Sequence, residues 1–414
     1  MISETFCSIP WVHVAVSTSG SFRPCCNVTY SKEDYTDEDP YGGFECQHYI
    51  FKENMDSVWN SDTYKNFRKR MINGEKIAAC SRCYREEESG IVSSRMKSNV
   101  NYPISDVNED GSCSLDSIKY LEVRVGNKCN LKCRMCNPFA SSMWIDDERK
   151  THLRGSTEKD LDMLEKMDWY KSDLFWDNLI SILDSCELIY FSGGEPAMFS
   201  EQQYRLFDEC IKRDVAKNIS LRYNTNITIL QPKLIEYWKQ FKGTAINCSL
   251  DAVGDVNYYI RYPSKWDIID KNMKTLYELQ DSHNIKVSVH CTVQILNILD
   301  LVNLLDYLSQ YNIFPFLNLL NHPKHYNIKV LHKEQKDKAT SILKSWCEEN
   351  EDKLKESDPH GEHKKLLSIL DYMNKDDWSH LYDDFLYETK LLDELRNQKL
   401  EDYIPELRNI SNDK

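Results

Sequence analysis

Residues 126–138 of this chain read GNKCNLKCRMCNP and follow directly on a strand-like stretch, residues 118–125. The three cysteines, Cys129, Cys133 and Cys136, have the spacing C-x3-C-x2-C. Three thiolates on one short loop, with no fourth protein ligand beside them, suit a [4Fe-4S] cluster in which one iron stays open. The alternative is a structural zinc site, but zinc in that role takes four tetrahedral protein ligands. The loop therefore favours the cluster.

A second motif lies further along the chain, where Gly193, Gly194, Glu195 and Pro196 follow another strand-like stretch. In order and in position at strand ends, the two motifs together resemble the radical S-adenosylmethionine (SAM) enzymes. The resemblance implies that the cluster binds SAM and cleaves it to methionine and a 5′-deoxyadenosyl radical, which abstracts hydrogen from a substrate.

The same resemblance implies SAM-binding roles for particular residues. Many members carry an aromatic residue just before the third cysteine, where this chain has Met135, and a thioether can still pack on an adenine ring. The other positions that match SAM contacts in the family are Gly193 and Gly194 for close backbone approach, Glu195 for the amino group, Asn226, Ser249 and Asp251 for the ribose or the methionyl carboxylate, and Arg261 for that carboxylate. The plainer alternatives are a simple turn at the two glycines and ordinary polar side chains elsewhere.

Short strand-like runs alternate with amphipathic helical runs between Ile118 and Asn321, which indicates repeated β-α units and a parallel sheet. The predicted strands are 118–125, 187–194, 219–226, 244–252, 286–294 and 314–321, and helices between them include 202–213, 232–241, 266–280 and 301–311. Six strands wound one way predict an α/β fold with a partial (β/α)6 barrel, which radical SAM proteins typically have.

One face of each predicted strand is polar, since residues two apart in a strand share a face. These polar residues are Glu122, Arg124, Tyr190, Ser192, Arg222, Asn224, Asn226, Asn247, Ser249, Asp251, Ser288, His290, Thr292, Gln294 and Asn318. We interpret them as the lining of a wet, ligand-filled lumen, because unsatisfied polar groups in a filled core cost about 1–3 kcal/mol each. An antiparallel sheet with one solvated face is the alternative.

A second group of cysteines precedes the predicted barrel. Cys7 and Cys25 have the layout C-x12-G-x4-C, and Cys80 and Cys83 form a C-x2-C pair. This pattern resembles the auxiliary-cluster domain called SPASM or its shorter form, the twitch domain, although most members carry it after the barrel. The resemblance implies one auxiliary [4Fe-4S] cluster ligated by these four cysteines. Four thiolates also suit structural zinc, and Cys26 or Cys46 could replace one of the four ligands.

The expected domains are an auxiliary-cluster domain at 1–90, a linker at 91–117, the radical SAM partial barrel at 118–325 and a helical C-terminal region at 326–414. Predicted helices in the last region are 333–350, 362–373 and 383–398, and no catalytic motif is evident there.

The composition of the chain limits the classes of partner that it is expected to bind. The formal net charge of −14 argues against broad binding to nucleic acid or anionic lipid, and no apolar run predicts a membrane span. Fifteen cysteines in a long chain without a recognisable signal peptide predict metal chemistry in the cytoplasm. A basic run, Lys65, Arg68, Lys69 and Arg70, is expected to form a solvated helix face; the alternative is a dock for an acidic electron donor.

Three functions remain open from the sequence. The first is a radical SAM enzyme that modifies a peptide or protein side chain, served by a low-potential electron donor such as flavodoxin or ferredoxin. The second is a radical SAM dehydrogenase of a small polar molecule such as an amino sugar. The third is a non-enzymatic metal-binding scaffold.

Overall fold

The computed structural model describes residues 2–28, 48–88, 90, 92–352, 354, 358 and 361–408. The chain forms two compact units. The first unit comprises Met1–Gly126, Met167–Tyr223 and Pro232–Thr244, and the second comprises Asn127–Lys166, Asn224–Gln231 and Ala245–Lys414. These units divide the chain differently from the expected domains, since the predicted barrel contributes segments to both.

Eight strands form a mostly parallel sheet in the order β2-β1-β3-β4-β5-β6-β7-β8. Their bounds are β1 His13–Val16, β2 Phe22–Arg23, β3 Tyr120–Arg124, β4 Leu188–Ser192, β5 Ser220–Thr225, β6 Gly243–Ser249, β7 Ile285–Val293 and β8 Phe316–Leu319. Strands β3 to β8 are the six that the sequence predicts, so the α/β fold class is confirmed. β1 and β2 are not predicted, because two to four residues are too short to display a periodic pattern.

β1 extends the sheet beyond the predicted strands. It pairs parallel with β3, with His13 opposite Tyr120 and Ala15 opposite Glu122. β2 returns antiparallel to β1. β3 in turn pairs parallel with β4, which places Glu122 opposite Tyr190. The N-terminal segment therefore supplies sheet as well as cysteines.

Helices separate the strands and fill the C-terminal region. The α-helices are Ile9–Val12, Met55–Trp59, Asp62–Ile72, Ser81–Glu88, Ser94–Asn101, Trp144–Thr151, Glu158–Glu165, Asp173–Ser181, Ser200–Lys212, Pro232–Trp238, Gly254–Ile260, Trp266–Ser282, Leu301–Ser309, Lys333–Glu349, Glu362–Lys375, Tyr382–Arg396 and Leu400–Tyr403. The helices predicted in the barrel and the C-terminal region are confirmed, with ends that differ by a few residues. Within the described residues, every helix is too short or too polar to cross a bilayer.

The expected linker at 91–117 contains regular structure. The helix Ser94–Asn101 begins at Ser93, whose side-chain oxygen accepts a hydrogen bond from the Met96 amide at 3.1 Å. A 3-10 turn follows at Leu115–Ser117. Two serines of this segment, Ser93 and Ser114, act as helix caps.

The prediction of a solvated basic helix face is wrong for one of the four residues of the basic run, Arg68. Arg68 lies on the helix Asp62–Ile72 and is fully buried. Its guanidinium donates to the carbonyl oxygens of Pro10 at 2.9 Å, Trp59 at 2.8 Å and Gly111 at 3.3 Å. Arg68 is therefore part of the core of the first unit and is not available to a partner.

The two faces of the sheet differ as the alternation of residues predicts. The apolar side chains of the face opposite the polar one are buried, namely Leu121, Val123, Leu221, Ile246, Leu250, Val287, Val289 and Val293. On the polar face of the second unit, Asn247 Nδ2 donates to Asn224 Oδ1 at 2.8 Å, and Ser288 Oγ donates to Asn247 Oδ1 at 2.9 Å. Polar side chains on neighbouring strands thus satisfy one another.

Candidate functional site

The loop with Cys129, Cys133 and Cys136 is held in shape by its own backbone and neighbouring side chains. Asn127 Nδ2 donates to the carbonyl oxygen of Pro138 at 2.9 Å and closes the loop at its base. The Cys136 amide donates to the carbonyl oxygen of Cys133 at 2.9 Å, and the Trp144 indole donates to the same oxygen at 2.8 Å. All three cysteines are partly exposed. Hydrogen bonds of the backbone and of neighbouring side chains therefore order the loop that carries the three thiols.

Asn226, predicted to contact SAM, lies beside the first cysteine. Its Nδ2 is 3.8 Å from Cys129 Sγ and donates to Asn130 Oδ1 at 3.0 Å. Its Oδ1 accepts from Thr228, both from the amide at 3.0 Å and from the hydroxyl at 2.6 Å. A carboxamide fixed in this way offers an N–H to a thiolate sulfur, which disperses its negative charge.

Two thiols of the loop, those of Cys133 and Cys136, lie in surroundings that disfavour a free thiolate. Burial raises the pKa of Cys133, although the Arg261 guanidinium opposes the shift. Burial also raises the pKa of Cys136 to about 12. These thiols are protonated at neutral pH until a cation replaces the protons, as is usual for metal-binding cysteines.

The number of thiols on the loop suits a cluster with one open iron better than a structural zinc ion, which takes four protein ligands. Among the described residues, no three His, Cys, Asp or Glu side chains lie close enough to share a single metal ion. Thiolates around one zinc ion are each about 2.3 Å from the metal, so they crowd together. A [4Fe-4S] cube is itself several ångströms across, and each cysteine binds a separate iron. The donor set therefore fits the cluster.

Asp251 and Arg261, both predicted SAM contacts, pair with each other. Arg261 Nε is 2.8 Å from Asp251 Oδ2, and both residues are buried. Asp251 Oδ1 also accepts from the Thr292 amide at 2.8 Å. Asp251 and Arg261 thus already bind other groups of the protein. Their contacts with SAM stay predictions.

Met135 and Ser249 are the two remaining predicted SAM contacts in the second unit. Met135 lies against Gln294, whose Nε2 is 3.8 Å from Met135 Sδ. Gln294 is fully buried. Ser249 is the last residue of β6 and is half-buried. The adenine contact of Met135 and the role of Ser249 also stay predictions.

The glycine motif belongs to the first unit. Gly193 and Gly194 have φ angles of 76° and 52°, in the left-handed region that favours glycine. A Cβ at Gly193 would lie 2.8 Å from Cβ of Arg124, so no larger residue fits. Glu195 is buried, and its Oε1 accepts from the Ala197 amide at 3.0 Å, which caps the 3-10 helix Pro196–Phe199. A positive φ accounts for both glycines, and close packing also accounts for Gly193; the contacts of Gly193, Gly194 and Glu195 with SAM stay predictions.

The four N-terminal cysteines predicted as ligands come together in the first unit. Cys7, Cys25, Cys80 and Cys83 line one enclosed cavity, together with Arg95. Burial raises the pKa of Cys7 and raises that of Cys80 to about 12, whereas Arg95 lowers both. A cavity with four thiols and one nearby guanidinium suits an anionic iron–sulfur cluster.

The proposed substitutes for these ligands differ in position. Cys26 does not line the cavity, and its pKa is raised by a hydrogen bond with Cys25, by burial and by the nearby carboxylate of Glu122. Cys26 thus lies near Glu122 of β3. Cys46 lies outside the described residues.

Sequence reasoning missed residues that bond to the loop with Cys129, Cys133 and Cys136, here called the cluster loop, and link it to segments far along the chain. Arg154 Nε donates to the carbonyl oxygen of Cys136 at 2.8 Å, and its guanidinium pairs with Glu388, 234 positions away. Arg134, within the loop, donates to Tyr259 O at 2.9 Å and to Asp393. The sequence predicts helices in the C-terminal region, but such a pattern does not identify the partner of any residue.

Comparison with known proteins agrees with both motifs. Residues 123–308 match the Radical SAM superfamily, and residues 7–84 match SPASM, an iron-sulfur cluster-binding domain. The radical SAM cyclopropyl synthase TigE of Paramaledivibacter caminithermalis is 25% identical over 169 residues, which are 41% of this chain and 34% of TigE. An uncharacterized protein of Methanocaldococcus jannaschii is 26% identical over 204 residues, 48% of this chain and 61% of that protein. The chain thus spans a third of one relative and three fifths of the other.

Among solved structures, native anSMEcpe with bound AdoMet has a TM-score of 0.39 and 15% sequence identity, over 56% of this chain and 60% of that chain. The SPASM match contains Cys7, Cys25, Cys80 and Cys83. The radical SAM match, which comes later in the chain, contains Cys129, Cys133 and Cys136. A SAM-binding [4Fe-4S] cluster and auxiliary iron–sulfur binding follow from these two domains. Residues 123–308 form a radical SAM domain, which follows an N-terminal SPASM domain at residues 7–84.

Proposed function

We propose that this protein cleaves SAM reductively and uses the resulting 5′-deoxyadenosyl radical to abstract hydrogen from a peptide or protein side chain. The observation that carries the proposal is the ordered loop with three thiols, Cys129, Cys133 and Cys136, and with the carboxamide of Asn226 beside the first of them. A [4Fe-4S] cluster bound there supplies the electron that breaks a carbon–sulfur bond of SAM.

The protein contributes placement and charge. The three cysteines would hold the cluster, and Asn226 would donate an N–H toward Cys129 Sγ, which is 3.8 Å away. Arg261 opposes the rise that burial causes in the pKa of Cys133, and so favours its thiolate. Met135, Gly193, Gly194, Glu195, Ser249 and Asp251 are the remaining residues that we assign to SAM.

In the first unit, Cys7, Cys25, Cys80 and Cys83 would hold one auxiliary cluster. The domain that contains them recurs in peptide-maturing members of the family, which supports the peptide substrate. A cytoplasmic location and a donor such as flavodoxin or ferredoxin are parts of the same proposal, since thiols and low-potential clusters need a reducing compartment.

The polar side of the sheet in the first unit supports a hydrogen-bonding substrate. Glu122 Oε1 is 3.3 Å from Arg124 Nη2, and its Oε2 accepts from the Tyr120 hydroxyl at 3.2 Å. Arg222 is exposed, with its guanidinium carbon 5.7 Å from the centre of the Tyr190 ring. Two guanidinium groups on this face favour the second candidate, a small anionic or hydroxylated molecule such as an amino sugar.

Anaerobic reconstitution with iron and sulfide, followed by SAM and dithionite, tests the proposal. We expect 5′-deoxyadenosine, measured by chromatography, to form in the parent and to fall to background in Cys133→Ala, which lacks one cluster ligand. Unmodified peptides from a degenerate library, when added, should increase the yield of 5′-deoxyadenosine. The peptides themselves should change in mass.

Amino sugars tested in parallel separate the two substrate classes. An increase with amino sugars and none with peptides would favour the small-molecule dehydrogenase. A protein that takes up zinc, binds no iron and yields no 5′-deoxyadenosine would contradict enzymatic SAM cleavage and leave the metal-binding scaffold.

A further inference from the structure

Arg154 binds the cluster loop on one side of its guanidinium. Its Nε donates to the carbonyl oxygen of Cys136 at 2.8 Å, and its Nη2 donates to the carbonyl oxygen of Arg134 at 2.6 Å. The two carbonyls stand on either side of Met135, within the segment that carries the second and third cysteines. A single planar group therefore fixes the backbone on which Cys136 is placed.

Glu388 orients Arg154 from the other side. Its carboxylate accepts from Nη1 at 2.8 Å and from Nη2 at 2.7 Å, a bidentate pair whose side chains are 8% and 3% exposed. His325 Nε2 lies 2.7 Å from Glu388 Oε2. The Arg154 guanidinium also stacks over the Trp144 ring at 4.6 Å, and the Trp144 indole holds the carbonyl of Cys133.

Arg134 attaches the helix Tyr382–Arg396, which contains Glu388, to the cluster loop at a second point. Arg134 is fully buried and stacks on the Tyr259 ring at 3.6 Å. Its Nη2 donates to Asp393 and, at 3.0 Å, to Gln398 Oε1. Glu388 and Asp393 both belong to the helix Tyr382–Arg396. This C-terminal helix is therefore bonded to the cluster loop through two arginines.

A buried ion pair is weak evidence for stability, because desolvation offsets most of its attraction and an apolar pair often does as well. What a bidentate pair adds is direction, since the guanidinium is held in one plane. Here that plane presents Nε and Nη2 to two carbonyls of the cluster loop. The geometry thus points to placement of the loop and not to general stabilisation.

We propose that Glu388 and Arg154 are positioning residues of the SAM-cluster site, through which the C-terminal helix Tyr382–Arg396 keeps Cys133 and Cys136 arranged to take up and retain the cluster. The inference rests on the proposed function for the identity of the cluster. It adds a role for the C-terminal region, in which the sequence shows no motif. Residues that orient ligands in this way typically change metal affinity 10–100-fold when they are altered.

Cluster retention tests the inference without turnover. Glu388→Gln keeps the shape of the side chain but loses its charge and turns an N–H toward the guanidinium, and Arg154→Lys keeps the charge but cannot reach the carboxylate and two carbonyls together. Both changes are made in a full-length background with Cys80→Ala and Cys83→Ala, so that the remaining iron reports on the SAM cluster. We expect iron loss to a chelator to be at least about tenfold faster in each variant than in that background.

Two matched controls belong to the same region. Tyr387→Ala changes a 64% exposed side chain on the same helix, and Asp376→Asn breaks the ion pair with Lys329, which is separate from the loop. Both should lose iron at the background rate. Thermal unfolding followed by circular dichroism identifies a variant that is not folded; if Glu388→Gln is unfolded, Arg154→Lys decides.

Iron loss at the background rate in a folded Glu388→Gln or Arg154→Lys variant would overturn the inference. Equal acceleration in the Asp376→Asn control would also overturn it, because the effect would then be general destabilisation. Failure of the proposed function gives a different result: the parent would retain iron, and the variants would differ from it, yet no 5′-deoxyadenosine would form.

Discussion

His13, in β1, is a fully buried histidine without a hydrogen-bond partner for either ring nitrogen among the described residues. Its ring stacks on Tyr120 at 4.1 Å between centroids, and its Nε2 is 3.9 Å from Glu122 Oε2. Burial lowers the pKa of His13 to about 4, although Glu122 opposes the shift. The ring is therefore neutral in the folded protein and acts as an aromatic packing group.

This neutrality predicts a pH dependence of stability. The folded pKa is below the unfolded value of about 6.5, so the unfolded chain binds the proton more tightly, and stability falls as the pH drops from 6.5 toward 4. Between pH 7 and 5 we expect His13 to account for a loss of about 2 kcal/mol in the free energy of unfolding. His13→Phe keeps the aromatic stacking on Tyr120. Between pH 7 and pH 5 its free energy of unfolding, measured by denaturant titration, should fall by about 2 kcal/mol less than that of the parent. Parallel losses in the two proteins would contradict this assignment.

The helix Asp62–Ile72 shows how one element divides a run of charges. Ser61 begins it by accepting a hydrogen bond from the Tyr64 amide at 3.4 Å. Lys69 is exposed, whereas Arg68 faces inward, with its guanidinium 4.3 Å from the centre of the Trp59 ring. Arg68 and Lys69 follow one another and so lie about 100° apart around the helix axis, which lets one face the core and the other face solvent.

Replacing the inward arginine tests this division. Arg68→Met would leave the carbonyl oxygens of Pro10, Trp59 and Gly111 without their donor, and we expect a loss of about 3 kcal/mol in the free energy of unfolding. The neighbouring change Lys69→Met should stay within about 0.5 kcal/mol of the parent. Chemical denaturation of both variants measures the difference, and similar stabilities would show that Arg68 has no special structural role.

At the scale of the whole molecule, the two cysteine groups belong to different units. Cys129, Cys133 and Cys136 lie in Asn127–Lys166, and the four auxiliary cysteines lie in Met1–Gly126. Each unit therefore contains one of the two proposed ligand sets, and we expect that loss of one proposed cluster does not remove the other.

Metal analysis checks this independence. We expect about eight irons and eight sulfides per reconstituted parent chain. Alanine at all three of Cys129, Cys133 and Cys136 should leave about four of each, and Cys80→Ala combined with Cys83→Ala should leave the other four. One zinc with about four irons in the parent would instead identify the N-terminal site as structural zinc.

The sequence by itself determined the cluster loop, the six predicted strands and most of the predicted helices, because cysteine spacing and hydrophobic periodicity act over a few residues. It also indicated which N-terminal cysteines meet. Only the tertiary structure decided that Arg68 is buried, that Asp251 pairs with Arg261, and that Glu388 reaches Arg154. The physical reason is that burial of a charge depends on the carbonyls and counter-charges that distant segments bring to it, and periodicity along the chain carries no record of those partners.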